Sequence, residues 1–269
     1  PRKLSKGVEQ AKKNLVVGVN SDAGRDLPST DGRDPKKMLV AGKRRLHGIA
    51  EAFGHLQTNL AFLGSEGGPR IIMITSPLPG DGKTTNATNL ALILAQRGQR
   101  VVLIDADLRR GVINRAFSTS RSPGLTEALT GKEPLEKAIW TVKTGEGYKL
   151  HFMPTGELPS NPAGLLGSEA MKELLQTLAA RYDVVLLDSA PVNAVTDSMV
   201  LARHIDGVLI VARAGSTPLE ALAFGLEQLR HVKAPVIGAI LNDIDLKRDT
   251  AYDRVYQYYG APEYTGAKS

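Results

Sequence analysis

One stretch, IIMITSPLPGDGKTTNATNLALILA (residues 71–95), limits what this chain can fold into more than any other. Ile71 to Thr75 carry no charge and suit a buried strand. The next residues are punctuated by Pro and Gly, and Gly82-Lys83-Thr84 opens a stretch with helical spacing over about 84–97. A strand that turns through glycines into a helix makes a concave anion site, because backbone N–H groups and the helix N-terminus point into it. Pro79, Gly80, Asp81, Gly82, Lys83, Thr84 and Thr85 are the expected nucleotide-binding residues. In such a loop the Lys amine meets the outer phosphates and the Thr hydroxyl a magnesium ion. Pro77 stands where the general pattern has its first glycine, so the strand and helix flanking the loop strengthen the motif.

Other apolar runs repeat the theme: VVLID (101–105), HFMP (151–154), VVLLD (184–188), GVLIVA (207–212) and VIGAIL (236–241). Helical patterns lie between them at about 168–181, 194–204 and 217–231, and Ser168 is placed to cap the first of these. Unbroken apolar strands alternating with helices predict an α/β fold: a P-loop NTPase-like, mostly parallel sheet with helices on both faces. The expected organisation is a basic, partly flexible extension over 1–45 and a catalytic domain over 46–247. A helix over 46–63 begins the domain as a candidate for oligomerisation, and a tail over 248–269 follows it.

Two of the strands end in carboxylates. VVLIDADLRR places Asp105 and Asp107 at the end of one, and VVLLDSAPV places Asp188 at the end of another. Ligands of open α/β sheets sit at the carboxyl ends of strands, so these groups are expected to converge on the phosphate loop. One would hold the magnesium bridging nucleotide phosphates, and another would accept a proton from an attacking hydroxyl. Arg109 would either stabilise the transferring phosphoryl group or pair with an Asp. Together these features predict phosphoryl transfer.

The tyrosines are unevenly placed, a clustering that covering a surface or docking a terminus could also explain. Of seven tyrosines, five (Tyr252, Tyr256, Tyr258, Tyr259 and Tyr264) lie within thirteen residues of the tail, among Gly, Pro and Lys. Residues 1–50 carry twelve Lys/Arg against five Asp/Glu, which leaves the remainder near neutrality given the overall +6. A basic arm suits an anionic membrane surface or nucleic acid, and equally a solvated linker; no interleaved aromatics mark it for nucleic acid. There is no cysteine, hence no disulfide framework or thiolate metal site. No apolar run approaches the roughly 20 residues that a membrane helix needs. The chain starts at Pro1 and not at Met, which leaves room for a preceding membrane segment.

SPLPGDGKTT, VVLIDADLRR and VVLLDSAP, with PGLTEALTG (123–131), MPTGELPSNPAGLLGSEAMKELL (153–175) and the tyrosine-rich tail, resemble the bacterial P-loop tyrosine kinases of polysaccharide export. The resemblance runs from about Gly48 to Tyr264. It implies ATP and Mg²⁺ as cofactors, with Lys83 on the β- and γ-phosphates. It further implies Thr84, Asp107 and Asp188 at the metal, Asp105 as general base, and Asn242 at the adenine. The tail tyrosines would be autophosphorylation sites, offered to a neighbouring subunit. Implied partners are further copies of the chain, as in a ring, a membrane polysaccharide copolymerase or its transmembrane activator, and a cognate tyrosine phosphatase. The implied location is cytoplasmic, at the inner face of the plasma membrane. In the family's oligomerisation helix a Glu is followed by two arginines at three-residue spacing; here Glu51 is kept, but Gly54 and Gln57 replace the arginines. Two rival readings share part of this pattern. The first is a nucleotide-dependent switch ATPase of the cell-division and partition type, whose signature Lys is replaced here by Leu78. The second is a weakly active kinase-like scaffold, which would not need the intact set Lys83, Thr84, Asp105, Asp107 and Asp188.

Overall fold

A computed structural model describes residues 15–20, 53–60, 70–143 and 148–244. The strands are β1 (Leu15–Asn20), β2 (Ile71–Thr75), β3 (Val101–Asp105), β4 (Trp140–Lys143), β5 (Lys149–Met153), β6 (Val184–Asp188), β7 (Gly207–Arg213) and β8 (Val236–Ile244). They form one sheet in the order β1-β8-β7-β2-β6-β3-β5-β4. Every described pairing is parallel except that of β4 with β5. The helices are α1 (53–60), α2 (Lys83–Gln96), α3 (Ile113–Ala116), α4 (Leu125–Thr130), α5 (Leu135–Ala138), α6 (Pro162–Leu166), α7 (Glu169–Arg181), α8 (Asp197–Leu201) and α9 (Leu219–His231).

Two buried layers flank the sheet, and the period-2 alternation of a strand divides its side chains between them. Ile72, Ile74 and Leu103 join Phe53 and Leu56 of α1 and Leu90 and Leu94 of α2. Ile71, Met73 and Ile104 face the other way, onto Met171, Leu175 and Leu178 of α7 and Leu229 of α9. The central strands β2 and β3 are buried at every residue, because both faces are covered. This is why they read as unbroken apolar runs. Ser168 caps α7 as expected, accepting from Met171 N at 3.2 Å.

Register decides where the functional groups lie. β6 is bordered by β2 and β3, with Asp188 opposite Asp105 on one side and opposite Ile74 on the other. The exit of β2 into the phosphate loop and the two acidic strand ends therefore sit side by side at the carboxyl end of the sheet.

Three elements differ from expectation. β4 is a short antiparallel edge strand whose four residues gave too brief a pattern to read. β1 falls in the stretch read as a flexible extension, yet it adds a parallel strand beside β8, with Leu15 opposite Gly238. The pattern over 194–204 becomes a short α8 followed by a 3-10 turn, Ala202–His204. Of the expected helix over 46–63, residues 53–60 are described and helical. The side chain of Arg97, the residue that follows α2, lies over this helix, with a guanidinium nitrogen 2.7 Å from where a Cβ on Gly54 would be, and donates to Gln57 Oε1. The rest of the N-terminal extension, Glu51 and the tail from 245 onward lie outside the described residues.

The two family-like segments without an obvious chemical role prove to be one structural unit. Glu127 of α4 is buried, and its carboxylate accepts from Gly124 N at 2.7 Å and from Glu157 N at 2.8 Å. Gly156 has φ 78° and approaches so closely that a Cβ there would fall 2.0 Å from Glu127 Oε2. Burial alone would raise the Glu127 pKa, but the Glu157 and Gly124 N–H groups outweigh it and hold it below the usual carboxylate range. Glu127→Ala strands the buried Gly124 N–H and frees the partly exposed Glu157 N–H, and its expected cost is about 1–3 kcal/mol in chemical denaturation. Because the folded pKa is depressed, this stabilisation is complete above the ordinary Glu range and is lost as pH falls through the lowered value. The deficit of the variant should therefore shrink below about pH 4.

Candidate active site

The phosphate loop takes backbone conformations that favour glycine. Gly80 and Gly82 have φ of 88° and 98°, in the left-handed region. A Cβ on Gly80 would meet nothing, whereas one on Gly82 would fall 2.1 Å from Asn242 Nδ2. The end of β8 thus closes over the second half of the loop. α2 starts at Lys83 with no acidic residue in its first turn. Its unpaired N–H groups and positive dipole end are left to an anion.

Lys83 is the hub of the charged groups. Its Nζ lies 3.2 Å from Asp107 Oδ2 and 3.8 Å from Asp188 Oδ1, and 3.4 Å from Thr84 Oγ1. Burial would lower the ammonium pKa, but Asp188 and Asp107 outweigh it and hold it above its ordinary value. The side chain is therefore charged at neutral pH. Burial, followed by the charge of Asp188, pushes the Asp105 carboxyl up. Asp188 is also raised by burial, against the pull of the Lys83 ammonium and the Thr84 hydroxyl.

Donor chemistry fits the expected cation. Asp188 Oδ1 is buried without a hydrogen-bond partner, on a carboxylate that meets the Thr84 hydroxyl. Oxygen donors of this kind suit Mg²⁺. Among the described residues no group of three or more His, Cys, Asp or Glu is arranged to hold a metal unaided.

A cavity of about 550 Å³ opens over the loop, within the range of ligand sites. Pro79, Gly80, Gly82, Lys83, Thr84, Thr85, Asp107, Arg109 and Asn242 line it, as the sequence predicts. Four expected residues behave differently in detail. Asp81 turns its carboxylate away from the cavity and bonds to Leu78 N and to Thr217 Oγ1. Asp105 lies behind the wall: its Oδ2 accepts from Ile113 N at 3.0 Å. A Cβ on Gly111 would fall 2.6 Å from both Asp105 oxygens and 2.2 Å from Thr155 Cγ2, so the Gly111 backbone covers the carboxylate. Arg109 is held by Asp197 in a two-pronged pair at 2.8 and 3.0 Å, the pairing alternative raised from sequence. Asn242 donates to Asp81 O at 3.0 Å, which commits its amide nitrogen to the loop.

The sequence reading missed Asp197, whose only signal was a position at the start of a helix. It also missed Thr217 and the cavity-lining pair Arg213–Asp243, bonded at 2.6 Å. Arg213 ends β7, Thr217 follows it and Asp243 lies near the end of β8, strands that carry no motif.

Comparison with known proteins agrees with this geometry. The family model described as an AAA domain matches residues 69–242. The tyrosine-protein kinase YwqD of Bacillus subtilis is 37% identical over 214 residues, covering 80% of this chain and 87% of that protein. The tyrosine-protein kinase Etk of Escherichia coli is 34% identical over 249 residues, 93% of this chain but 32% of Etk. The chain therefore spans nearly all of one relative and about a third of the other. The solved kinase domain of Etk superposes with a TM-score of 0.78 at 32% identity, covering 91% of this chain and 96% of that one. With the phosphate loop, Lys83 and Asp107 lining one cavity and the buried Asp188 behind Lys83, and with relatives of this identity and coverage, the chain belongs to the bacterial protein-tyrosine kinases.

Proposed function

We propose that this domain transfers the γ-phosphoryl group of ATP to the tyrosines of its own tail, Tyr252, Tyr256, Tyr258, Tyr259 and Tyr264, between neighbouring copies. The observation that carries the reading is the Lys83–Asp107–Asp188 cluster at the phosphate loop, in a chain with five of its seven tyrosines in one terminal segment. The phenolic oxygen forms the new bond to the γ-phosphorus and the bond to the bridging oxygen of ADP breaks. The phenolic proton passes to a strand-end carboxylate. Lys83 holds the β- and γ-phosphates, and Gly80, Gly82 and the start of α2 offer N–H groups to the phosphate oxygens. Thr84, Asp107 and Asp188 would hold Mg²⁺, which when bound neutralises phosphate charge and favours ionised carboxylates. Asp105 is the assigned proton acceptor. Arg109, fixed by Asp197, faces the cavity as a cation for the developing charge, and Asn242 borders the space for the base.

The basic arm supports a place at the inner membrane face, beside a polysaccharide copolymerase or its activator. A cognate phosphatase would reset the tail. For self-association, the cation at the α1 surface comes from Arg97, just after α2, and not from residues 54 and 57. Phosphorylation adds about −1.5 to −2 charges per tyrosine near neutral pH. Successive phosphates would repel one another along a heavily modified tail and oppose its close packing against a neighbour, so assembly and phosphorylation would oppose one another.

Incubation with Mg·ATP followed by mass spectrometry tests the proposal. Phosphate is expected on the tail segment. Replacing the five tail tyrosines by Phe should remove most of the incorporated phosphate while leaving ATP affinity unchanged. An unmodified tail in a protein that binds ATP would overturn the acceptor assignment and favour the scaffold reading.

A further inference from the structure

A glycine-containing loop has no rigidity of its own, since glycine loses the most conformational freedom on ordering. The loop between β2 and α2 must nevertheless present its N–H groups in one arrangement. Within the loop, Ser76 Oγ donates to Leu78 O at 2.8 Å, and Leu78 N donates to Asp81 Oδ2 at 2.8 Å. The remaining ties come from outside. Thr217 Oγ1 donates to Asp81 Oδ1 at 2.6 Å and accepts from Arg213 N at 2.7 Å. Both capacities of this one hydroxyl are used. Asn242 Nδ2 adds a bond to Asp81 O.

The position of Asp81 is otherwise hard to explain. A carboxylate in an anion-binding loop opposes phosphate unless it is turned away, and Asp81 is buried and does not line the cavity. Both its oxygens are bound to neutral donors, so it acts as a cross-link between the loop and the turn after β7. We propose that Thr217 is a positioning residue for nucleotide binding: through Asp81 it holds residues 78–82 in the shape that receives the phosphates. No motif of the sequence contains Thr217, and it does not line the cavity itself: it is tied to it through Asp81 and through the backbone N–H of the cavity-lining Arg213.

The proposal rests on the reading of the cavity as an ATP site, and the test separates the two. Mg·ATP affinity is measured by calorimetry for the wild type, Thr217→Val and Thr217→Ser, with melting of each free protein alongside. Val keeps the shape and removes the hydroxyl, while Ser restores it. Losing a hydrogen bond to a buried carboxylate should weaken Mg·ATP binding about tenfold in the Val variant. The same factor should appear in KM for ATP and not in kcat, and Ser should return affinity to within about twofold of wild type. Wild-type affinity in Thr217→Val, or equal weakness in Val and Ser, would overturn the latch while leaving the ATP site intact. A wild type that does not bind Mg·ATP would overturn the ATP reading itself, and the latch with it.

Discussion

Lys83→Met should reduce tail phosphorylation by at least about 10²–10³-fold, the usual loss when one preorganised electrostatic group is removed. The Lys83 ammonium is 13% exposed and held between Asp107 and Asp188. A methionine of similar length fills the space without the charge that meets the phosphates. A second effect follows in the free protein. With the ammonium gone, two buried carboxylates remain without a counter-charge, a situation that costs about 3–5 kcal/mol when one partner of a buried pair is deleted. The Asp188 pKa, already raised, then rises further. An acid with a raised folded pKa destabilises the fold as pH climbs above its unfolded value. The melting deficit of Lys83→Met should therefore grow from about pH 4 toward neutrality, whereas a simple cavity defect would be independent of pH. Wild-type phosphorylation in this variant, with folding verified by circular dichroism, would exclude the cavity as the site of transfer.

The parts of the fold that could be read from sequence are those where one force dominates. β2, β3 and β6 are apolar because both faces of the central sheet are covered, and a run such as VVLID has few other uses. Asp105 and Asp188 could be placed because strand ends in parallel sheets face one edge, and their pairing in register brings them together. What escaped depended on long-range pairing. β4 needs β5 as an antiparallel neighbour, and β1 lies some 220 residues from its partner β8, so neither follows from local pattern. The same limit applies within the site. The loop motif names Asp81 as a phosphate-loop residue, but only the turn after β7 shows that its carboxylate points at Thr217. DADLRR names Asp105 and Arg109 equally well. Only the tertiary arrangement shows that Gly111 covers the first and Asp197 fixes the second.

Asp105→Asn should give opposite changes in stability and activity. Burial and the nearby Asp188 charge push the Asp105 carboxyl up to about 8, and Asp188 lies at about 6. The native state therefore binds protons that the unfolded chain releases, and the stability of the free protein should fall as pH rises from about 4 to 8. Asparagine has no charge to desolvate. Its amide oxygen can accept from Ile113 N as Asp105 Oδ2 does, at 3.0 Å in the wild type. The variant should therefore melt higher at pH 7.5 by at least about 1.4 kcal/mol, one pKa unit, and its pH slope should flatten. Activity should move the other way, because an amide cannot take the phenolic proton: loss of a general base reduces transfer by about 10²–10⁴-fold. The covered position of Asp105 makes this a sharp test. For a phenol to reach it, the chain around Gly111 must shift when nucleotide and tyrosine are bound. Full activity in Asp105→Asn together with raised stability would mean that Asp105 is a buried acid of the fold. The proton acceptor would then be Asp107, the carboxylate that already lines the cavity, and Asp107→Asn would be the variant that loses transfer.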